Sequence, residues 1–427
     1  MTTLMRTATI GAVWSESTNK DIFLFLENAD KKMAGSGLFS KKINLDLSQK
    51  VMLGKKEEKN VHIQLSDHFT TGRLLRFVLP SVIMMVCTSL YSIVDGFFVS
   101  NYAGKTPFAA LNLIFPVLMC IAAIGFMLGT GGSAIVSRTL GQRKKEKANE
   151  YFTLMILAGF VMSTAVAILC FIFTPEISVA LGAEGEMLEN CIVYGRILFV
   201  FLPVFVLQNM FQNFFVTAQR PDMSLKVSLC SGVLNGVLDF VFLAIFEWGI
   251  AGAALATGIG QLFGGIFPLI YFSRENDSLL RLCPTKMDWS ILWEACSNGI
   301  SEMVSNLSMS TINILYNFLL MKMVGEDGVA AYGVIMYVNF VFTSIFIGYS
   351  VGSAPVIGYH YGAQNHGELH NLYSKSIRLL TVTGLIMTIS AEVLCRPLVG
   401  IFVSYDPDLM EMTCHGFRLY SLMFLLT

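Results

Sequence analysis

From residue 74 to the end, the chain is a succession of apolar runs broken by short charged loops, nine of them of roughly 20 residues or more and the tenth still apolar at residue 427. Ten runs stand near residues 74–100, 107–135, 151–174, 189–216, 222–246, 249–273, 290–322, 329–357, 376–403 and 415–427. A helix of that length spans the roughly 30 Å hydrocarbon core of a bilayer. In lipid every backbone N–H and C=O must be satisfied within the protein, which leaves helices as the form these runs can take. The chain is therefore expected to be an all-α polytopic membrane protein.

Composition agrees. Charged residues make up 14% of the 427 and apolar residues 54%, against about 25% charged in soluble domains. A formal net charge of −1 gives no reason to expect nucleic acid. The nine cysteines show no CxxC spacing and lie mostly in or beside apolar runs. They read as small buried residues, with no disulfide or metal site implied. No phosphate-binding loop, nucleophile elbow or zinc-protease signature is found, so neither ATP hydrolysis nor another enzymatic activity is expected.

Loop charges set an orientation. Arg73 and Arg76 precede the first run, Arg138, Arg143, Lys144, Lys145 and Lys147 follow the second, and Arg220 and Lys226 follow the fourth. Arg274, Arg281 and Lys286 follow the sixth; Lys375 and Arg378 follow the eighth. The alternate loops hold little beyond Lys105, Lys322 and Arg396. By the positive-inside rule the N-terminus and the loops after even-numbered runs are cytoplasmic. Residues 1–67 lack a membrane-length run and a secretory leader, and read as a disordered cytoplasmic extension.

The chain repeats itself. Phe126–Gly129, Gly132–Ala134 and Gly141–Gln142 are echoed by Phe346–Gly348, Gly352–Ala354 and Gly362–Gln364. Gly195–Arg196–Ile197 is echoed by Gly416–Phe417–Arg418–Leu419. A constant offset near 220 residues, at equal places in the topology, implies two six-helix bundles related by an axis along the membrane normal. The expected division is a first lobe over 68–273, a cytoplasmic linker over 274–289 and a second lobe over 290–427. On this repeat the second lobe is incomplete: about ten of twelve helices are present and the last is cut short.

Polar residues inside apolar runs mark candidate sites, because they are costly in lipid. Asp95, Asp239 and Thr257 fall about 7–12 Å from the outer ends of their runs at 1.5 Å per residue, and Asn235 lies one turn below Asp239. They place two carboxylates and two neutral oxygens in one layer. Such a cluster suits a hard cation such as Na⁺, and desolvated carboxylates can instead carry a proton. The fourth run has a polar stripe of Gln208, Asn209, Gln212 and Asn213, suited to cavity lining or to interhelical hydrogen bonds. The seventh carries Glu302, Asn306, Asn313 and Asn317 on one face, with Glu302 near the midplane, where it would attract a cationic substrate, take a proton or bond a neighbouring helix. Arg196 would pair with a carboxylate or line an entrance, and Glu392 would pair with Arg396 one turn on.

These residues resemble the multidrug and toxic compound extrusion family over about 65–427. The likeness rests on Leu79–Pro80–Ser81 with Val94–Asp95–Gly96, and on Gly129–Ala134 leading to Ser137–Gly141. Further motifs are Asn235–Asp239, Gly249–Thr257 and Tyr361–Gly362–Ala363. The resemblance implies a bacterial inner-membrane antiporter whose two lobes rock to expel small organic cations in exchange for Na⁺ or H⁺, acting as a monomer without another cofactor. It assigns coupling-cation binding to Asp95, Asn235, Asp239 and Thr257, while Glu302, Asn306, Gln208, Asn209 and Gln212 are the substrate-cavity candidates. The rival expectations are export of a lipid-linked saccharide on the same architecture, or a truncated chain that moves nothing.

Overall fold

The structure, a computed structural model, describes residues 63–324, 326–403 and 407–425. The expected N-terminal extension lies outside the described residues up to residue 62, as does the side chain of Asn317. The described chain forms ten principal helices: α1 Thr71–Phe98, α2 Lys105–Gly141, α3 Lys145–Ile172, α4 Gly185–Thr217, α5 Pro221–Asp239, α6 Gly249–Ser273, α7 Trp289–Met323, α8 Glu326–Gly362, α9 His366–Val403 and α10 Pro407–Ser421. A short helix, Thr174–Ala180, links α3 to α4. Eight of the ten, with their flanking turns, are long and apolar enough to cross a membrane. The others are α7, diluted by Glu302 and its asparagines, and α10, only 15 residues long.

Local chemistry sets several boundaries. Thr70 caps α1 by accepting from the Arg73 N–H, and Asp288 caps α7 by accepting from Ser290 and Ile291, which relieves the orphan donors of a first turn. Pro221 opens α5, where its missing N–H costs nothing. The turns after α2 and α8 reverse through left-handed Arg143 and Gln364 (φ 62° and 53°), at matching places in the two repeats.

Helices α1–α6 pack on one another, with α4 flanked by α2, α3 and α6, and α1 laid on α5. A second group joins α8, α9 and α10, with α7 beside α8. Between the groups, α1 lies on α8 and α2 lies on both α7 and α8. These crossings are backbone-close. A Cβ at Gly141 would collide with the Tyr359 carbonyl, and one at Gly362 with the Arg138 carbonyl. The two collisions are the same contact seen from each repeat, since 138 and 359 are as far apart as 141 and 362. Gly131 and Gly299 likewise admit the α2–α7 crossing, and Gly348 and Gly352 the α1–α8 crossing. Without a strong hydrophobic drive in lipid, small residues that let backbones meet are what hold such crossings.

The basic end is tied by more than packing. Arg138 pairs with Glu294 of α7 at 2.8 Å. Leu65 and Phe69, ahead of α1, are fully buried among Phe77, Val216, Tyr349, Val356 and Leu372. Residues 63–67, read from sequence as part of a tail, are thus packed structure. The segment between α6 and α7 is pinned to α3: Arg281 N–H donates to Asn149 Oδ1 (3.1 Å), Cys283 N–H to Thr153 Oγ1 (3.1 Å) and Thr285 Oγ1 to the Glu150 carbonyl (3.0 Å). An irregular segment needs such partners because its backbone has no helix to satisfy it.

One expected pairing is corrected. Glu392 meets Arg418 of α10 (3.7 Å) and accepts from Ser421 Oγ (3.0 Å) rather than pairing with Arg396, because α10 packs along α9 and brings the partner across. Arg196, open in sequence between a carboxylate partner and an entrance position, lies over the Phe171 ring, 5.6 Å from its centroid, in a cation–π contact.

Candidate functional site

Helix α6 is the wall on which the site is built. Its glycines remove side chains where α4 and α5 arrive. Gly260 sits against Asn235 Cβ and the Ser231 carbonyl, Gly264 against the Gln208 amide, Gly258 against Phe201 and Gly265 against Val204. Ser231 Oγ donates to the Gly260 carbonyl at 2.6 Å, and Gln208 Nε2 reaches Ser231 Oγ at 3.5 Å. This chain fixes the register of α4, α5 and α6. With α5 that close, Asn235 Nδ2 comes within 3.5 Å of Thr257 Oγ1.

Asp239 lies one turn beyond Asn235, as the last residue of α5 before the π turn Phe240–Ile245. It is completely buried, and neither carboxylate oxygen has an aligned hydrogen-bond donor. Asp95 of α1 stands one turn before a second π turn, Val99–Ala103. Its carboxylate is within interaction reach of Asp239, Thr257 and Asn235, yet Oδ1 has no aligned donor. The two π turns touch, so both acids sit beside paired irregularities of the kind that recur at functional sites. The structure thus brings Asp95, Asn235, Asp239 and Thr257 together.

Two tyrosines that sequence reading did not name lie within electrostatic reach of the acids. Tyr91 precedes Asp95 by one turn and interacts with it, and buried Tyr194 of α4 faces both Asp95 and Asp239. The i,i+4 spacing of Tyr91 was a usable signal. Nothing local marks Tyr194, whose place depends on how α4 packs. None of the groups acting on either carboxylate is basic.

The other candidates are dispersed. Gln208, Asn209, Gln212 and Asn213 are buried; Gln212 Nε2 reaches Ser228 Oγ of α5 (3.5 Å), while Asn213 Nδ2 turns back on the Asn209 carbonyl within α4 (3.2 Å). Asn209 Nδ2 and Gln208 Oε1 have no partner among the described residues. Glu302 is exposed on α7, and Asn306 Nδ2 folds back on the Glu302 carbonyl (2.8 Å). Asn313 accepts from Tyr332 of α8 at 2.8 Å.

Chemically, the site offers two carboxylates, an amide oxygen, a hydroxyl and two phenols, with Asn235, Asp239 and Tyr194 buried and the others half-buried. A single positive charge, whether a proton or a monovalent hard cation, is what such a set lacks. Among the described residues no group of three or more His, Cys, Asp or Glu gathers as a transition-metal site would.

A family model described as MatE matches residues 80–241 and 303–426. The multidrug export protein MepA of Staphylococcus aureus (strain MSSA476) is 25% identical over 358 residues, 84% of this chain and 78% of MepA. MepA of Staphylococcus saprophyticus is 26% identical over 361 residues, with the same coverage. Among solved structures, a multidrug resistance MATE family transporter of the MOP superfamily, in an outward-facing conformation, superposes with a TM-score of 0.79 at 23% identity. That match covers 86% of this chain and 82% of that one. A MATE protein in complex with MaL6 gives the same score over 84% and 81%.

Proposed function

This chain belongs to the MatE family, and from that premise we propose that it is a multidrug efflux antiporter of a bacterial inner membrane that exchanges organic cations for Na⁺ or H⁺. The observation that carries the coupling role is the facing pair of half-buried Asp95 and fully buried Asp239, without a basic partner. Two desolvated carboxylates repel unless a positive charge is shared between them. The pair therefore binds a coupling cation, helped by Asn235 and Thr257, with Tyr91 and Tyr194 within electrostatic reach.

A ligand shifts a conformational equilibrium only by its differential affinity for the two states. Binding at Asp95–Asp239 draws α1, α5 and α6 together and favours the form that releases substrate to the outside. Loss of the cation to the inside resets the cycle. The crossings of α1 on α8 and α2 on α7 and α8 gather at the basic end, which the loop charges place in the cytoplasm. Closure there suits an outward-open form. Substrate is attracted by exposed Glu302. The protein is a transporter and not an enzyme.

The test is efflux of a cationic dye from energised cells and vesicles, with Na⁺ and H⁺ gradients imposed separately. Asp239→Asn is expected to abolish gradient-driven efflux at an unchanged membrane level. Gradient-driven efflux retained by that variant contradicts the coupling assignment.

A further inference from the structure

Resting on that reading, and going beyond it, we propose that Glu368 is a positioning residue that latches the basic ends of the two helix groups, and that its bonds to His68 and Phe69 must release for that end to open. Residues 63–69 precede α1 in the first group, whereas Glu368 lies in the first turn of α9 in the second. Glu368 Oε1 accepts from the Phe69 N–H at 2.9 Å, and its Oε2 bonds His68 Nδ1. Asn371 Nδ2 donates to Glu368 Oε1 (2.8 Å) and reaches the Phe69 carbonyl (3.2 Å), to which Lys375 Nζ also donates (2.6 Å). Both backbone groups of Phe69 are therefore held by side chains of α9.

Glu368 is itself fixed. Asn365 Oδ1 accepts its N–H at 3.1 Å, which caps α9 and aims the carboxylate at the segment before α1. The Phe69 ring is fully buried, set edge-on to His360 of α8 and to Phe77 of α1. Beside the small-residue crossings and the partly exposed Arg138–Glu294 pair, this contact is charge-assisted and holds backbone as well as side chain, which makes it directional. Its polar groups lie at the end of the bundle. Water entering as the ends part takes over the bonds to Glu368, so release does not strand a bare carboxylate.

A readout independent of transport comes from a cysteine at position 137, which lies against Gly358 where α2 crosses α8. In inverted membrane vesicles, modification of that cysteine in Ser137→Cys by a charged maleimide is measured by mass spectrometry of its peptide. It is expected to be at least about fivefold faster when Glu368→Ala is added, and Glu368→Gln, which keeps the acceptor for Phe69, is expected to fall between. Equal rates in all three overturn the latch. In the second arm, His68→Cys with Glu368→Cys is oxidised to a disulfide by copper phenanthroline, with oxygen as the oxidant. Dye efflux should stop and return on reduction, while the parent protein treated alike is unaffected. Efflux that continues in cross-linked protein also overturns the latch. If the parent moves no dye at all, the transport reading fails, and the rate at position 137 still decides the latch.

Discussion

Gly141 of α2 and Gly362 of α8 lie at one crossing, each against a carbonyl of the other helix. Because the two contacts are interchanged by the internal repeat, the crossing sits on the axis relating the repeats. A side chain at either position has no room. Gly362→Val should cost about 1–3 kcal/mol, the range for overpacking a close contact. The purified variant should melt at lower temperature in detergent, with Gly333→Ala, whose Cβ meets open space, as the neutral control.

The acids of the cation site should behave as a unit. Asp95→Asn and Asp239→Asn are each expected to remove gradient-driven efflux, and the double variant to be no worse than either, as for groups that act together. Initial rates of dye efflux in the three variants measure this directly. Additive losses would place the two acids at separate steps.

For the Arg138–Glu294 pair, geometry overstates energy. Both side chains are about one-third exposed, and pairs of that kind are worth about 0–1 kcal/mol. A double-mutant cycle with Arg138→Ala and Glu294→Ala, read by thermal melts at low and high salt, should give a coupling in that range that shrinks with salt.

The α4 stripe separates two roles. If Gln208 serves the α4–α5–α6 register, as its link through Ser231 to Gly260 indicates, Gln208→Ala should lower stability by about 0.6 kcal/mol, up to about 1.7. Resistance to every exported compound would then fall together. A reordering of which compounds are exported best would instead mean that the stripe touches substrate.

Gly260→Val should act on the cation site from behind. It separates α6 from Asn235 and so parts Asn235 from Thr257. The concentration of coupling ion needed for half-maximal efflux is expected to rise several-fold, with substrate dependence little changed.

Much of this was legible in the sequence because lipid leaves few choices. Runs of membrane length can be little but helices, and acids within them need a reason to be there. Asp95, Asn235, Asp239 and Thr257 could be placed in one layer by counting residues from the ends of their runs. What could not be counted was side-to-side packing. Tyr194 reaches the site only through the position of α4, and Glu392 chose Arg418 over Arg396 because α10 lies along α9. The burial of Leu65 and Phe69 was hidden for a similar reason. A short mixed-charge stretch carries no periodicity, and its partners lie about 300 residues downstream.

The pinning of the α6–α7 connection to α3 makes it a short leash. Thr285 is held at Glu150 and α7 begins at Trp289. Four residues reach at most about 14 Å when fully extended. While that hydrogen bond holds, the start of α7 stays on this radius from α3, however the groups move. Separation of the start of α7 from α3 beyond that reach is excluded, so large excursions of α7 must fall on its far end.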